Sequence, residues 1–219
     1  MPIGAGQHSL KVRSKPAVLP LPTSMDVTQF TQVGGSGGYV SFTQRSGQPT
    51  PRMRASYTTN VAPNPANSSN VLWYQAANSG AKTVIVGFDM TGRVNTGGGF
   101  GIGFRSPSNG EVATFIAQPQ SGGSWRSQIF NAALSASVSN TIDSSLSGNA
   151  GSFGYTDLGK PTLWLKCADD GTTIGQYFSY DGINWTLVYN RARNSNVYSQ
   201  VGLFMIPSYD TTYGASIYT

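Results

Sequence analysis

The sequence predicts an all-β protein built from two packed antiparallel sheets. Charged residues make up 11% of the 219 residues, and the chain holds 27 glycines and 12 prolines. With its many Ser, Thr and Asn residues, this composition is typical of short strands joined by tight turns. About a dozen strand-like runs follow one another, and no segment shows the apolar period of an amphipathic helix.

The first half of the chain supplies eight of these runs. We predict strands over residues 29–33, 38–43, 52–58, 71–76, 83–90, 99–105, 111–117 and 125–130. Residues 97–103 are glycine-rich but lack the Lys-Ser/Thr of a phosphate-binding loop, so we expect a strand that another backbone or side chain approaches closely. Residues 131–143 are small and predict a short turn of helix or a loop, and residues 140–157 predict a long surface connection.

The clearest strand signals lie between residues 161 and 207. Leu163, Leu165 and Cys167 alternate with Trp164 and Lys166, which is the period of a half-buried strand. Turns of the type Asp-Gly then separate further runs over residues 175–180, 184–190 and 201–206. We interpret the block as an antiparallel meander, and residues 214–218 as the closing strand.

This block also carries four short motifs. They are WLK at 164–166, the Asp170-Gly171 turn, YFSYDG at 177–182 followed by Trp185, and VGL at 201–203. Together they resemble the C-terminal half of concanavalin A-like lectin and glucanase domains, the laminin-G-like β-sandwiches. The resemblance implies a jelly-roll sandwich but no particular activity, because lectins, glycosidases, adhesion modules and virion proteins share this shape.

Residues 1–25 are predicted to form an extended arm, and residues 26–219 the sandwich. The arm has four prolines and no apolar period, so it cannot bury enough surface to fold alone. Lys11, Arg13 and Lys15 supply three of the charges behind the net charge of +5, which leaves the body at about +2. We interpret the arm as a basic anchor that docks on another protein chain.

These features lead to the hypothesis of a non-enzymatic structural or adhesive protein of a virus particle, specifically of a bacteriophage. The arm would attach to capsid or tail proteins, and the sandwich would face outward as a capsid decoration or a tail-associated receptor-binding part. Similar phage proteins form trimers, so we expect self-association, with a cell-surface glycan as a further partner. A soluble carbohydrate-binding lectin is the alternative, followed by a glycoside hydrolase.

Nucleic acid is not an expected partner, because the body lacks a basic stripe with interleaved aromatic residues. Arg52 with Arg54, and Arg191 with Arg193, form two pairs that we interpret as charged strand edges. The sequence shows no apolar signal region near Met1 and no run of about 18 apolar residues. We therefore expect a chain made in a host cytoplasm without a secretory signal or membrane span, and located in the virion.

Groups for catalysis are few. The chain has one glutamate, Glu111, and eight aspartates, and it lacks the E-x-D-x-E signature of the catalytic members of this superfamily. A glycosidase needs two carboxylates about 5 to 9 Å apart. His8, the only histidine, belongs to the arm, so no nucleophile-histidine arrangement can be drawn within the body. We predict no enzymatic activity and no catalytic residues.

No cofactor is predicted. Asp169, Asp170 and Asp181 lie in turns that could face the same end of a sheet and hold calcium, although their spacing is not diagnostic. Cys167 is the only cysteine, which excludes an intrachain disulfide and a cysteine-based zinc site. Because it shares the face of Leu163 and Leu165, we expect a buried apolar thiol.

Aromatic residues near polar ones are the candidates for contact with a glycan or a partner. A sugar presents an apolar C–H face to an aromatic ring and hydroxyl groups to polar side chains. Core packing is the alternative left open, since Trp and Tyr are prominent in both settings. The candidates are Trp73, Tyr74, Trp125, Arg126, Tyr209 and Tyr213.

Overall fold

The first of two sheets contains seven antiparallel strands. The computed structural model describes residues 27–35, 40–45, 52–57, 70–91, 99–118, 124–142, 163–206 and 216–218. In spatial order, the strands of the first sheet are β1 (Thr31–Gly34), β4 (Val71–Ala76), β13 (Gln200–Ile206), β6 (Gly99–Arg105), β7 (Val112–Gln118), β8 (Ser124–Phe130) and β9 (Ser137–Ile142). A single turn of 3-10 helix, Val27–Gln29, precedes β1.

The second sheet also contains seven antiparallel strands. In spatial order they are β12 (Thr186–Ala192), β11 (Thr173–Ser179), β10 (Leu163–Asp169), β5 (Lys82–Thr91), β14 (Ser216–Tyr218), β3 (Arg52–Tyr57) and β2 (Val40–Arg45). The two sheets pack as a β-sandwich of the jelly-roll type, which confirms the predicted fold class. The described part of the chain holds no helix with the length and apolarity that a membrane crossing requires.

Aromatic side chains fill the space between the sheets. Trp125 of the first sheet stacks on Phe115, with ring centroids 5.4 Å apart, and on Phe178 of the second sheet at 4.7 Å. Phe88 and Phe100 make a second contact across the sandwich at 4.7 Å. Each of these strands alternates inward and outward residues, so each sheet contributes one apolar face to the core.

A second apolar cluster lies on the outer face of the first sheet. Leu72, Ile116 and Phe204 are each 0 to 1% exposed, although their sequence neighbours point into the core between the sheets. Gly101 lies in the adjoining strand β6, where an added Cβ would overlap the carbonyl oxygen of Phe115. This close approach confirms the expectation for the glycine-rich run, and it leaves β6 buried on both faces.

The prediction for residues 131–143 was wrong in part, because β9 occupies residues 137–142. Residues 131–136 form a turn in which the Asn131 side chain accepts hydrogen bonds from the Ser135 amide at 3.0 Å and the Ala136 amide at 3.4 Å. Leu134, at a φ of 59°, is fully buried in the second cluster. The turn reverses the chain, so that β9 pairs with β8 despite having no apolar alternation of its own.

The predicted four-strand meander was also wrong in its last strand. Strands β10, β11 and β12 form a meander, but β13 lies in the opposite sheet between β4 and β6. The chain changes sheets through a turn in which Asn194 and Ser195 adopt left-handed φ values of 48° and 66°. Tyr198, fully buried at the end of this turn, packs edge-on against Phe104 of the first sheet at 6.3 Å.

Candidate functional site

Two of the predicted contact residues lie in the core. Trp73 and Trp125 are each 2% exposed. Trp125 is stacked between two other rings, and the Trp73 indole N–H donates a hydrogen bond to Gln32 Oε1 at 3.0 Å. Neither ring presents a face to a ligand. Both belong to the core, which is the alternative that the sequence left open.

The other predicted residues are separated from one another. Tyr74 and Arg126 are half-buried on the outer face of the first sheet, and the Arg105 guanidinium lies 5.1 Å from the Tyr74 ring centroid. Arg105 also donates to Gln200 Oε1 at 2.6 Å, so Tyr74 belongs to a packed polar group. Tyr209, Tyr213 and the arm residues Lys11, Arg13 and Lys15 lie outside the described residues.

A different aromatic group lies open to solvent on the outer face of the second sheet. The strand register places Ile85, Lys166, Tyr177 and Leu187 in one row across β5, β10, β11 and β12. Ile85 and Leu187, at the two ends of the row, are 39% and 44% exposed. Exposed apolar groups gathered in one place are typical of a contact surface, whereas scattered ones are not.

The centre of this row is a lysine held between aromatic rings. Lys166 Nζ lies 4.3 Å from the ring centroid of Tyr177 and 4.5 Å from that of Trp185. Both distances are within the range of cation–π attraction. Partial burial lowers the pKa of Lys166. We call Trp164, Lys166, Tyr177 and Trp185 the outer aromatic face; all four are half-buried.

The hairpin between β11 and β12 supports one side of this face. Asp181 Oδ1 accepts hydrogen bonds from the backbone amides of Ile183 at 2.8 Å and Asn184 at 2.7 Å, which fixes the turn. Gly182 has a φ of 71°, and its nearest neighbour in space is the Trp164 ring, 3.2 Å from an added Cβ. One side of the Trp164 ring therefore rests on the turn.

A buried ionic group lies at the other end of the second sheet, opposite the hairpin between β11 and β12. The side chain of Asp169 is fully buried between Lys82 Nζ at 2.9 Å and Arg193 Nη1 at 3.4 Å. Asp169 also accepts a hydrogen bond from the Gly171 amide at 2.9 Å. Two cations therefore surround one carboxylate where β5, β10 and β12 begin or end.

The interpretation of Arg191 and Arg193 as charged strand edges was wrong. Arg191 is 4% exposed and points between the sheets, where it donates to Ser127 Oγ at 2.7 Å and to the Ser127 carbonyl oxygen at 2.6 Å. Arg193 is 7% exposed and belongs to the ionic group around Asp169. Both guanidinium groups find buried acceptors, which a strand edge in water would not provide.

The three aspartates considered for calcium do not lie together. Asp169 ends β10 and Asp170 follows it, whereas Asp181 follows β11, and successive hairpins of a meander lie at opposite ends of the sheet. The seven residues of β11 separate the two turns by roughly 20 Å. Among the described residues, no group of three or more His, Cys, Asp and Glu side chains could hold a metal ion.

The carboxylates whose side chains are described all have local partners. Glu111 Oε2 accepts hydrogen bonds from the side-chain amide nitrogens of Asn109 and Asn196, each at 3.0 Å. Asp170 Oδ1 accepts from the backbone amides of Thr172 at 2.8 Å and Thr173 at 2.7 Å. Asp169 is ion-paired, and Asp181 fixes its hairpin.

Cys167 is buried as predicted, at 1% exposure between the sheets. Burial raises the pKa of the thiol well above its usual value. A protonated, inaccessible thiol is neither a nucleophile nor a metal ligand.

The outer aromatic face was missed because its members come together only through the pairing of strands. The alternation of residues 163–167 places Trp164 and Lys166 on the outward side of one strand. Only the cross-strand register, Lys166 opposite Tyr177 and Ile85, shows that residues from three strands meet there. Side chains directly opposite on neighbouring antiparallel strands lie about 5 Å apart.

Comparison with known proteins identifies the fold and no family. No protein-family model matches the chain, and no curated protein matches it. A functionally unknown protein from Saccharomyces cerevisiae is similar in structure, with a TM-score of 0.51 and 14% identity over 89% of this chain and 94% of that one. At this identity, the likeness supports the β-sandwich fold alone.

Two bacterial structures are similar at a lower level. The Bacillus licheniformis GH43 protein BlXynB has a TM-score of 0.45 and 12% identity, over 76% of this chain and 31% of that one. A Bacillus licheniformis β-glucanase also has a TM-score of 0.45, with 9% identity over 86% of this chain and 96% of that one.

Proposed function

We propose that the chain is a non-enzymatic structural protein of a bacteriophage particle that displays a lectin-like β-sandwich for contact with a cell surface. The observation that carries this proposal is the outer aromatic face, where Lys166 lies between the rings of Tyr177 and Trp185. All four of its residues are half-buried, and the pairing of β10 with β5 and β11 positions Lys166 and Tyr177.

The non-enzymatic part of the proposal rests on the carboxylates. A retaining or inverting glycosidase keeps one carboxyl protonated and one ionised beside an open cleft. Here Asp169 is buried between two cations, and Asp170 and Asp181 are held by backbone amides that lower the pKa of each. A carboxyl with a lowered pKa is a poor proton donor at neutral pH.

The display part of the proposal combines the sandwich with the arm. A sandwich whose core rings stack across both sheets is a rigid support for an exposed contact face. The basic segment that includes Lys11, Arg13 and Lys15 would hold this support on an acidic surface of capsid or tail proteins. Self-association of the sandwich would place several contact faces side by side and raise avidity.

A soluble lectin is the second candidate, because it would use the same aromatic face without any particle. To test the proposal, a phage lysate is separated on a density gradient into particles and a soluble fraction. The amount of the full-length protein in each is then measured by mass spectrometry. The proposal expects the protein in the particle band at a fixed ratio to the major capsid protein. Protein found only in the soluble fraction would support the lectin and overturn the virion role.

A further inference from the structure

We infer that the outer aromatic face binds a sugar ring that carries a carboxylate, such as a uronic or sialic acid residue of a surface polysaccharide. This inference rests on the proposed function and specifies the chemical class of its ligand. It depends on three features of the face: its flat aromatic surface, its cation, and the support beneath Trp164.

The first feature is the shape of the face. The row from Ile85 to Leu187 crosses four neighbouring strands, which lie about 4.8 Å apart, so it is roughly 14 Å long. That length matches two to three linked sugar rings. Ile85 and Leu187 supply exposed apolar ends, and Tyr177 and Trp185 supply rings between them, against which the C–H face of a sugar can pack.

The second feature is the charge. The Lys166 ammonium makes no ion pair or hydrogen bond with any described residue, and its contacts are the two aromatic rings. Its N–H donors have no oxygen acceptor among the described residues, and a ligand carboxylate would supply one. A carboxylate bound there would gain a charge-assisted hydrogen bond beside apolar surface, where such bonds are strongest.

The third feature is the support of Trp164. This ring rests on the Gly182 turn, and that turn is fixed by the hydrogen bonds from the Ile183 and Asn184 amides to Asp181. A supported ring and a flat row are held in place before a ligand arrives, which lowers the entropic cost of binding.

An acidic peptide is the other ligand that a cation among aromatic rings could hold. The row favours a sugar, since the C–H face of a sugar ring packs against exposed aromatic and apolar side chains. A peptide running along a sheet also commonly pairs with an edge strand, whereas Lys166 lies on β10, an interior strand of the second sheet.

Calorimetric titration of the full chain tests this inference. The probes are oligosaccharides of galacturonate, glucuronate and N-acetylneuraminate, each beside its carboxyl-methylated form, with oligoglutamate as the peptide probe. We expect at least one acidic sugar to bind, and its methyl ester to bind at least 10-fold more weakly. Added salt should weaken the binding of the acidic sugar, because salt screens the ion pair in this contact.

Two variants locate the site, and a third is the control. Lys166→Met and Trp185→Ala should each weaken binding at least 10-fold, whereas Thr83→Ala, on an exposed residue of β5, should leave it unchanged. If a site variant fails to fold, the comparison of acid with methyl ester on the unaltered protein still decides the outcome.

Three results would overturn the inference: no binding of any acidic sugar, equal binding of acid and ester, or binding of oligoglutamate alone. None of them bears on the presence of the protein in purified particles. Failure here is therefore distinguishable from failure of the virion role.

Discussion

Asp169 is the single residue on which one end of the sandwich most depends. Asp169→Asn would keep the hydrogen bond from the Gly171 amide but leave Lys82 and Arg193 without a counter-charge in a buried position. We expect a loss of about 3 kcal/mol in the free energy of unfolding. Urea denaturation of the variant measures this loss. The matched control, Asp170→Asn, alters an exposed turn and should lose less; equal losses would contradict the account.

Asp181 gives the stability of the fold a dependence on pH. The backbone amides of Asn184 and Ile183 hold the pKa of Asp181 well below its usual value. Since the folded pKa is the lower one, the contribution is fully present above the unfolded pKa of about 3.9 and is lost as the pH falls below it.

The expected result is that the unfolding temperature falls between about pH 5 and pH 2, and falls less steeply for Asp181→Asn. Calorimetry at a series of pH values measures both proteins. A difference between them that stays constant across this range would show that the Asp181 charge does not stabilise the turn.

Glycines determine how closely the central strands of the first sheet approach. A methyl group at Gly101 would overlap the Phe115 carbonyl oxygen, which is backbone and cannot move alone. At Gly103 it would lie 2.5 Å from Leu72 Cδ1, the end of a flexible side chain, and at Gly80 its nearest neighbour would be 3.5 Å away.

We therefore predict a graded series of Gly→Ala substitutions. Gly101→Ala should lose about 3 kcal/mol or fail to fold, Gly103→Ala about 1 kcal/mol, and Gly80→Ala close to nothing. Chemical denaturation of the three proteins gives the order. A Gly101→Ala protein as stable as the Gly80→Ala protein would contradict the described packing of β6 against β7.

At the level of strands, local pattern predicted most of the fold. The pattern of strand-like runs identified β4, β8 and β10, and of these β10 shows most clearly the alternation of a half-buried strand. It missed β9, whose sequence SVSNTI has little alternation and which forms by pairing with β8. It also misplaced β13, because a strand's own sequence does not indicate which of two sheets it joins.

The candidate site could be predicted only in part for the same reason. The outward direction of Trp164 and Lys166 follows from the period of one strand, but their meeting with Tyr177 depends on pairing between strands. Residue type alone does not predict that Trp73 and Trp125 are buried, since tryptophan is common both in cores and at contact surfaces.

Over the whole molecule, the two sheets differ in their outer faces. The first sheet buries Leu72, Ile116 and Phe204 in an apolar cluster, whereas the second sheet exposes Ile85 and Leu187 beside the outer aromatic face. In the proposed virion role, this difference between the described outer faces would give the sandwich a preferred direction on the particle. We expect the second sheet to face away from the particle, where the aromatic face can meet a cell surface.

Deletion of residues 1–25 tests whether the arm attaches the protein to the particle. Particles would be assembled with either the full chain or the truncated chain, and the copies per particle would be counted by mass spectrometry of gradient-purified material. Circular dichroism of the truncated protein would establish that the sandwich remains folded. We expect a folded protein that is absent from the particles; a truncated protein that assembles at full occupancy would show that the arm is not the anchor.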